Sequence, residues 1–308
     1  MQKIYQQTIS KPVHFEGIGL HSGLITKVKL KPGKEDQGII FKRIDLQAKN
    51  VIEANFKNVT STKLCTTLEN LSGAKVSTVE HLMAAFYITG IDNVEVELDN
   101  EEIPIMDGSS KNFVEILNKV PIQQLNKKRK YLKVLNKVEL RDNDRKILIE
   151  PNELNFEVEF QLNYLNNIIG KQKNTINFMK DNLEDVFSSR TFCLFEDIEK
   201  IKKNGLAKGG SLDNALVVDD KKIINEGGLR NKKEFVNHKI LDLAGDFLLS
   251  GFRILGKVSC YQGGHQLSNM FLRKLLKSKS FFSEIEIEDV KIRKETPIIQ
   301  PDKLAVNA

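Results

Sequence analysis

The stretch 235–251, FVNHKILDLAGDFLLSG, decides how this 308-residue chain is read. Its apolar residues fall at helical spacing, a glycine stands where the helix should end, and a strand-like run, RILGKVSCY (253–261), comes next. A glycine turn, QGGH (262–265), and a second helical run, LSNMFLRKLL (267–276), complete the unit. The same order occurs earlier in the chain: helix TVEHLMAAFYITG (78–90), strand NVEVEL (93–98), loop DNEEIPIMDGSS (99–110) and helix NFVEIL (112–117). Each leading helix carries a histidine near its start, His81 or His238, and a glycine near its end, Gly90 or Gly251. The fold expected is α+β, with two similar domains that each pack helices on a β-sheet. The proline and basic run PIQQLNKKRKY (121–131) reads as the linker. The domains then span 1–126 and 127–290. Segment 182–219 has no counterpart in the first half and reads as an insertion, and 291–308 as a tail.

Within the deciding helix, His238, Asp242 and Asp246 recur four apart. At about 100° per residue their side chains fall within roughly 80° of one another. Ile240, Leu241, Leu243, Ala244, Phe247 and Leu248 occupy the other side. Such a polar stripe is either a solvated face or one wall of a reaction site. His238 and Asp242, at i and i+4, can give a metal two ligands; a hydrolytic zinc site needs a third and an open position for water. His81 is the applicant for the third place, or else a satisfied core histidine. Its neighbour Glu80 is a candidate general base, yet Ser77-Thr78-Val79-Glu80 also reads as a capping box. His265 stands on a tight glycine loop between a strand and a helix, where catalytic side chains are often displayed. A carboxylate such as Asp246 beside it would favour its protonated form.

Composition narrows the field. The chain is 40% hydrophobic and 29% charged, enough for a real core in two domains. Its net charge is +6, with lysines clustered at 127–130, 171–173, 200–203 and 232–233. These form solvated faces or meet a phosphate-bearing partner. Few aromatics interleave with them, so the pattern argues against nucleic acid. Three cysteines, Cys65, Cys193 and Cys260, make neither a disulfide framework nor a metal knot. The start, MQKIYQQTIS, is too polar for a signal peptide, and no apolar run reaches the ~20 residues of a membrane span. A cytoplasmic protein with at most peripheral membrane contact is expected. No Walker loop, H-E-x-x-H or dinucleotide fingerprint is present; LAKGGSLDN has its glycines at the wrong spacing.

Nine stretches, in order, give the chain a resemblance. They are GIGLHSG (17–23), STVEHL (77–82), IPIMDGSS (103–110), SSRTF (188–192), GLAKGGSLDNALVV (205–218), NEGGLR (225–230), FVNHKILDLAGD (235–246), SGFRILG (250–256) and GGHQLSN (263–269). The chain resembles the bacterial UDP-3-O-acyl-N-acetylglucosamine deacetylases, zinc-dependent hydrolases of lipid A biosynthesis in Gram-negative bacteria. The resemblance implies a Zn²⁺ site in the cleft between the two domains, held by His81, His238 and Asp242. It makes Glu80 the general base and His265 the general acid, with Asp246 holding and charging His265. Thr191 would help stabilise the oxyanion, and Lys239 would contact the sugar or phosphate end of the substrate. The inserted segment, about 190–218, would be the passage for the fatty acyl chain, with Phe192, Ile198, Ser211 and Val217 on it. The implied reaction uses water to release acetate from a UDP-linked, acylated N-acetylglucosamine. Two rivals stand beside this reading: a zinc amidohydrolase of the same fold acting on another acylated nucleotide sugar, and a basic nucleic-acid-binding protein. One departure is local: NKKEF (231–235) is basic where the family is commonly acidic.

Overall fold

The computed structural model describes residues 4–153 and 155–287; the tail expected at 291–308 lies outside them. Strands form where apolar and polar residues alternate. In Phe156–Asn163, FEVEFQLN, every second residue is buried, the period-2 signature of a strand with one face on the core. In the first half, Val13–Ile18, Ile25–Pro32, Val94–Leu98, Ile39–Arg43 and Val51–Glu53 lie side by side in that order. In the second half, Val138–Asp142, Arg145–Glu150, Arg253–Tyr261, Phe156–Asn163 and Lys171–Asn177 do the same. Successive neighbours run antiparallel, antiparallel, parallel, antiparallel in both sheets. The repeat sensed in the helix–glycine–strand order is therefore a repeat of topology. In each sheet the strand after the histidine-bearing helix is the central one, because a parallel pairing needs a crossover and the helix supplies it. Lys130–Val134 and Phe282–Glu286 extend the second sheet.

The run expected as a linker is not irregular. Ile122–Lys128 is a strand paired antiparallel with Tyr5–Ile9. A chain crossing between two sheets still has backbone donors and acceptors to satisfy, and the N-terminal strand satisfies them.

Six α-helices accompany the strands among the described residues: α1 (Glu80–Thr89), α2 (Lys111–Asn118), α3 (Glu184–Phe187), α4 (Ile198–Lys203), α5 (Glu234–Leu248) and α6 (His265–Leu275). α1 and α5 pack against each other, and α5 also lies on the strands at 156–163 and 171–177. Of the 15 residues of α5, 14 are buried, Lys239 being the exception, so its polar stripe is no solvated face. The helices cross closely because position 245 is glycine. A Cβ there would overlap the carbonyl oxygen of Glu80 and lie 3.0 Å from that carbonyl carbon. The far end of α1 is fixed as well. Gly90 closes it in the left-handed conformation, Arg129 donates to Gly90 O, and Arg253 donates to the carbonyls of Phe86, Tyr87 and Ile91. Two cations at a helix C-terminus suit its partial negative charge. One contiguous apolar cluster runs from Ile9 through both helices to Phe282. Within the insertion, Phe192–Leu194 pairs in parallel with Leu216–Val218 across α4, making a small strand–helix–strand unit.

Candidate active site

The start of α1 differs from the capping-box reading. Val79 is the N-cap, with no side-chain bond to the helix. Thr78 adopts a left-handed backbone, φ 56°, which carries Ser77 away from the helix end; its hydroxyl donates to Glu101 O instead. The Thr78 hydroxyl donates to Glu102. The Glu80 carboxylate is thereby released from capping and lies buried, its Oε2 accepting the backbone N–H of Thr66 at 3.0 Å.

One helical residue further, His81 meets the face of α5. Its Nε2 is 3.5 Å from Asp242 Oδ1, and His238 Nε2 is 3.3 Å from the same oxygen. The two imidazoles stand edge to face at 5.0 Å between ring centres. One ligand atom from each of His81, His238 and Asp242 lies within 4.8 Å of the others, and all three residues are buried. His238 Nδ1 faces Ser189 O at 3.0 Å, so the N–H sits there and Nε2 offers its lone pair. Asp242 Oδ1 and His81 Nδ1 have no hydrogen-bond partner. Leaving a buried carboxylate oxygen unmatched costs about 1–3 kcal/mol or more. Two imidazole nitrogens and a carboxylate oxygen converging without a shared proton are the donor set of a divalent cation, and the residues fit one. Burial pushes the His238 imidazole down to about 3, keeping it neutral as a ligand must be. Burial opposes ionisation of Asp242, yet His238 and the Lys239 ammonium, 2.9 Å from Oδ2, hold its carboxyl well below the usual range.

Beside this trio His265 and Glu80 face each other. His265 is not on a loop as expected; it is the first residue of α6, with Gly264 as N-cap. Its Nδ1 is 2.9 Å from Asp246 Oδ2 and its Nε2 is 3.7 Å from Glu80 Oε1. Burial lowers His265, but the Asp246 and Glu80 carboxylates outweigh it and lift the imidazole to about 10. Burial raises Glu80, partly offset by His265 and His81. The Asp246 and Glu80 carboxylates thus favour the charged imidazole, while burial raises the proton affinity of Glu80.

A second, apolar cavity of about 270 Å³ adjoins the trio. Phe192, Ile198, Ser211 and Val217 line it, as does Thr191, which also borders the pocket holding Glu80, His81, His238, Asp242 and His265. Lys239 sits at the boundary, its ammonium 5.5 Å from the centre of the Phe192 ring. Every site residue expected from the sequence is therefore brought to one connected region. Several supports were not foreseen. Thr66 contacts both Glu80 and Asp246. Ser110 Oγ donates to His81 O. Arg230 donates to Asp107 and to Ser188 O, and Arg190 pairs with the buried Glu234, holding the turn whose Ser189 carbonyl orients His238. Gly108, at φ 84°, lets Asn214 pass so closely that a Cβ would overlap its carbonyl, and Gly108 O accepts the Thr191 N–H at 2.7 Å. Of these, the residues in the motifs IPIMDGSS, SSRTF, GLAKGGSLDNALVV and NEGGLR carried a signal; Thr66 had none.

Comparison with known proteins shows the family. Residues 6–277 match the family model described as UDP-3-O-acyl N-acetylglycosamine deacetylase. A UDP-3-O-acyl-N-acetylglucosamine deacetylase of Geotalea uraniireducens is 42% identical over 92% of this chain and 92% of its own length. Enzymes of the same name from Nautilia profundicola and Pseudoalteromonas translucida are 40% and 38% identical, covering 90% and 97% of this chain and 93% and 97% of their own.

Proposed function

The chain belongs to the UDP-3-O-acyl-N-acetylglucosamine deacetylase family, and from that premise we propose how its buried pocket hydrolyses the acetamide of a UDP-linked, 3-O-acylated N-acetylglucosamine. The enzyme releases acetate and a free amine in lipid A biosynthesis. The observation that carries the assignment is the convergence of His81, His238 and Asp242, with an unmatched buried Asp242 oxygen, next to the Glu80–His265 pair.

His81, His238 and Asp242 would hold Zn²⁺ through two imidazole nitrogens and one carboxylate oxygen. When bound, the ion supplies Lewis acidity toward a water and a carbonyl oxygen. The remaining work falls to the chain. Glu80 Oε1 takes the proton of the attacking water, and burial, by raising its proton affinity, makes it a stronger base. Protonated His265 and the Thr191 hydroxyl donate to the developing oxyanion, each such donor contributing about 3–4 kcal/mol. His265 Nε2 then gives its proton to the departing nitrogen, which would otherwise leave as an amide anion. Asp246, bonded to Nδ1, fixes the ring and favours its protonated form until that transfer. Lys239, at the mouth between the trio and the apolar cavity, contacts the sugar or phosphate end, and the cavity lined by Phe192, Ile198, Ser211 and Val217 takes the acyl chain.

We assign residues 1–126 and 127–290 to the two domains, and the cytoplasm as the compartment, since Cys65, Cys193 and Cys260 are free thiols. No described helix is long and apolar enough to cross a membrane, so any membrane contact is taken as peripheral. The test is metal content measured alongside deacetylase activity before and after chelation. About one zinc per chain, activity lost on chelation and regained with zinc is expected. Full activity in metal-free protein refutes the reading. A non-acylated UDP-N-acetylglucosamine hydrolysed as well as the acylated substrate would favour action on another nucleotide sugar.

A further inference from the structure

Thr66 is buried at 1% exposure and touches both members of the proton-handling machinery. Its backbone N–H donates to Glu80 Oε2 at 3.0 Å, and its hydroxyl donates to Asp246 Oδ1 at 2.7 Å. The other oxygen of each carboxylate faces the same imidazole: Asp246 Oδ2 lies 2.9 Å from His265 Nδ1, and Glu80 Oε1 lies 3.7 Å from His265 Nε2. Thr66, Glu80, His265 and Asp246 thus form a closed ring, with one residue gripping the two acids from behind and the histidine between them in front. We infer that Thr66 is the positioning residue that sets the distance and angle between the proton acceptor Glu80 and the proton donor His265.

The elements explain why this residue can do so. Thr66 directly precedes the strand Thr67–Glu69, which pairs with Val59–Ser61 and Lys75–Val76 in a small sheet apart from the two large ones. Its carbonyl accepts the N–H of Val79, the N-cap of α1, so its backbone is tied to the helix that carries Glu80. Asp246 comes from α5 and His265 from α6. A single residue therefore ties α1 to α5, and through their two carboxylates it bears on His265 of α6. Donors to the rear oxygens also keep each carboxylate plane turned toward the imidazole. Without the hydroxyl, Asp246 is free to rotate, and His265 loses the fixed orientation on which in-line donation depends.

The inference rests on the roles proposed for Glu80 and His265. Its test uses full-length, zinc-loaded enzyme carrying Thr66→Ser, Thr66→Val or Thr66→Ala. Thr66→Ser keeps both donors, and its kcat should stay within about 2-fold of the unsubstituted chain. Thr66→Val keeps the backbone donor and removes the hydroxyl at nearly constant volume. Its kcat should fall about 10- to 100-fold, in line with a lost orienting partner, while KM and zinc content stay within about 2-fold. Thr66→Ala, which only removes atoms, repeats the test if Thr66→Val does not fold. In an Asp246→Ala background the Thr66→Val change should add no more than about 2-fold, because the group it orients is gone. An unchanged kcat for Thr66→Val, or a full multiplicative loss on top of Asp246→Ala, overturns the inference. If Glu80→Ala and His265→Ala are themselves fully active, the base and acid assignment falls first and this inference with it. If those two are inactive and Thr66→Val is not impaired, only the role of Thr66 falls.

Discussion

Gly245→Ala puts the geometry of the helix crossing to a quantitative test. By helix propensity alone the change is favourable, since alanine exceeds glycine by about 1 kcal/mol in a helix interior. At this position the methyl would meet backbone rather than flexible side chain. It overlaps Glu80 O and sits 3.0 Å from Glu80 C and 3.1 Å from Ala84 N, where ordinary contact begins at 3.4 Å. Backbone in a packed helix pair cannot yield locally, so α1 and α5 must part by on the order of 1 Å, at an overpacking cost of about 1–3 kcal/mol. The clash outweighs the propensity gain, and the melting temperature should drop by several degrees. Function suffers more. The atoms displaced belong to Glu80, next to His81, while Asp242 and His238 stay on the other helix. A misplacement of about 1 Å in a catalytic constellation can cost 100-fold, so kcat should fall by about that factor, with weakened zinc retention. The assay is steady-state deacetylation with metal analysis and thermal melting on the same preparation. A Gly245→Ala protein with unchanged kcat, zinc content and stability would show that the close crossing does not set the site.

Three further outcomes are expected. His265→Ala should keep about one zinc per chain while kcat drops about 100- to 10,000-fold, the range of a lost general acid; loss of metal would show that His265 is a ligand. Glu80→Ala should be folded, zinc-loaded and nearly inactive, and wholesale unfolding would show that the carboxylate matters for the start of α1 rather than for chemistry. The pH profile of kcat/KM should be bell-shaped, with its basic limb well above the ordinary imidazole value of about 6.5, because Asp246 and Glu80 lift His265 to about 10. A raised value means that the protonated acid persists, and its pairing stabilises the fold, until pH climbs through about 10. Asp246→Asn removes one of the two anions and should bring the limb down, and a basic limb unmoved by that change would refute Asp246 as its cause.

Much of this protein was legible in the residue order. The helix–glycine–strand–loop–helix pattern around His81 and His238 disclosed the repeated half, since periodicity and left-handed glycine caps are local properties. The i, i+4 spacing of His238, Asp242 and Asp246 placed three chemical groups on one stripe, since a helix fixes such angles without reference to its surroundings. Spacing left open whether that stripe met water or metal; the family motifs favoured metal, and in the fold burial of 14 of the 15 residues of α5 excludes a wet face. The capping box failed for the same reason in reverse. Ser77 to Glu80 has the right letters, but Thr78 is bent by its bond to Glu102, a partner 24 residues away. The linker became a strand because Tyr5–Ile9 returns to pair with it. Thr66 lay in an unremarkable threonine-rich run, and only the packing of α1 against α5 gives it two carboxylates to hold. What the chain encodes locally is conformation and the identity of reactive groups. Which of them share a proton, an ion or a cavity is settled by contacts between residues distant in sequence, and those exist only once α1, α5 and α6 have packed.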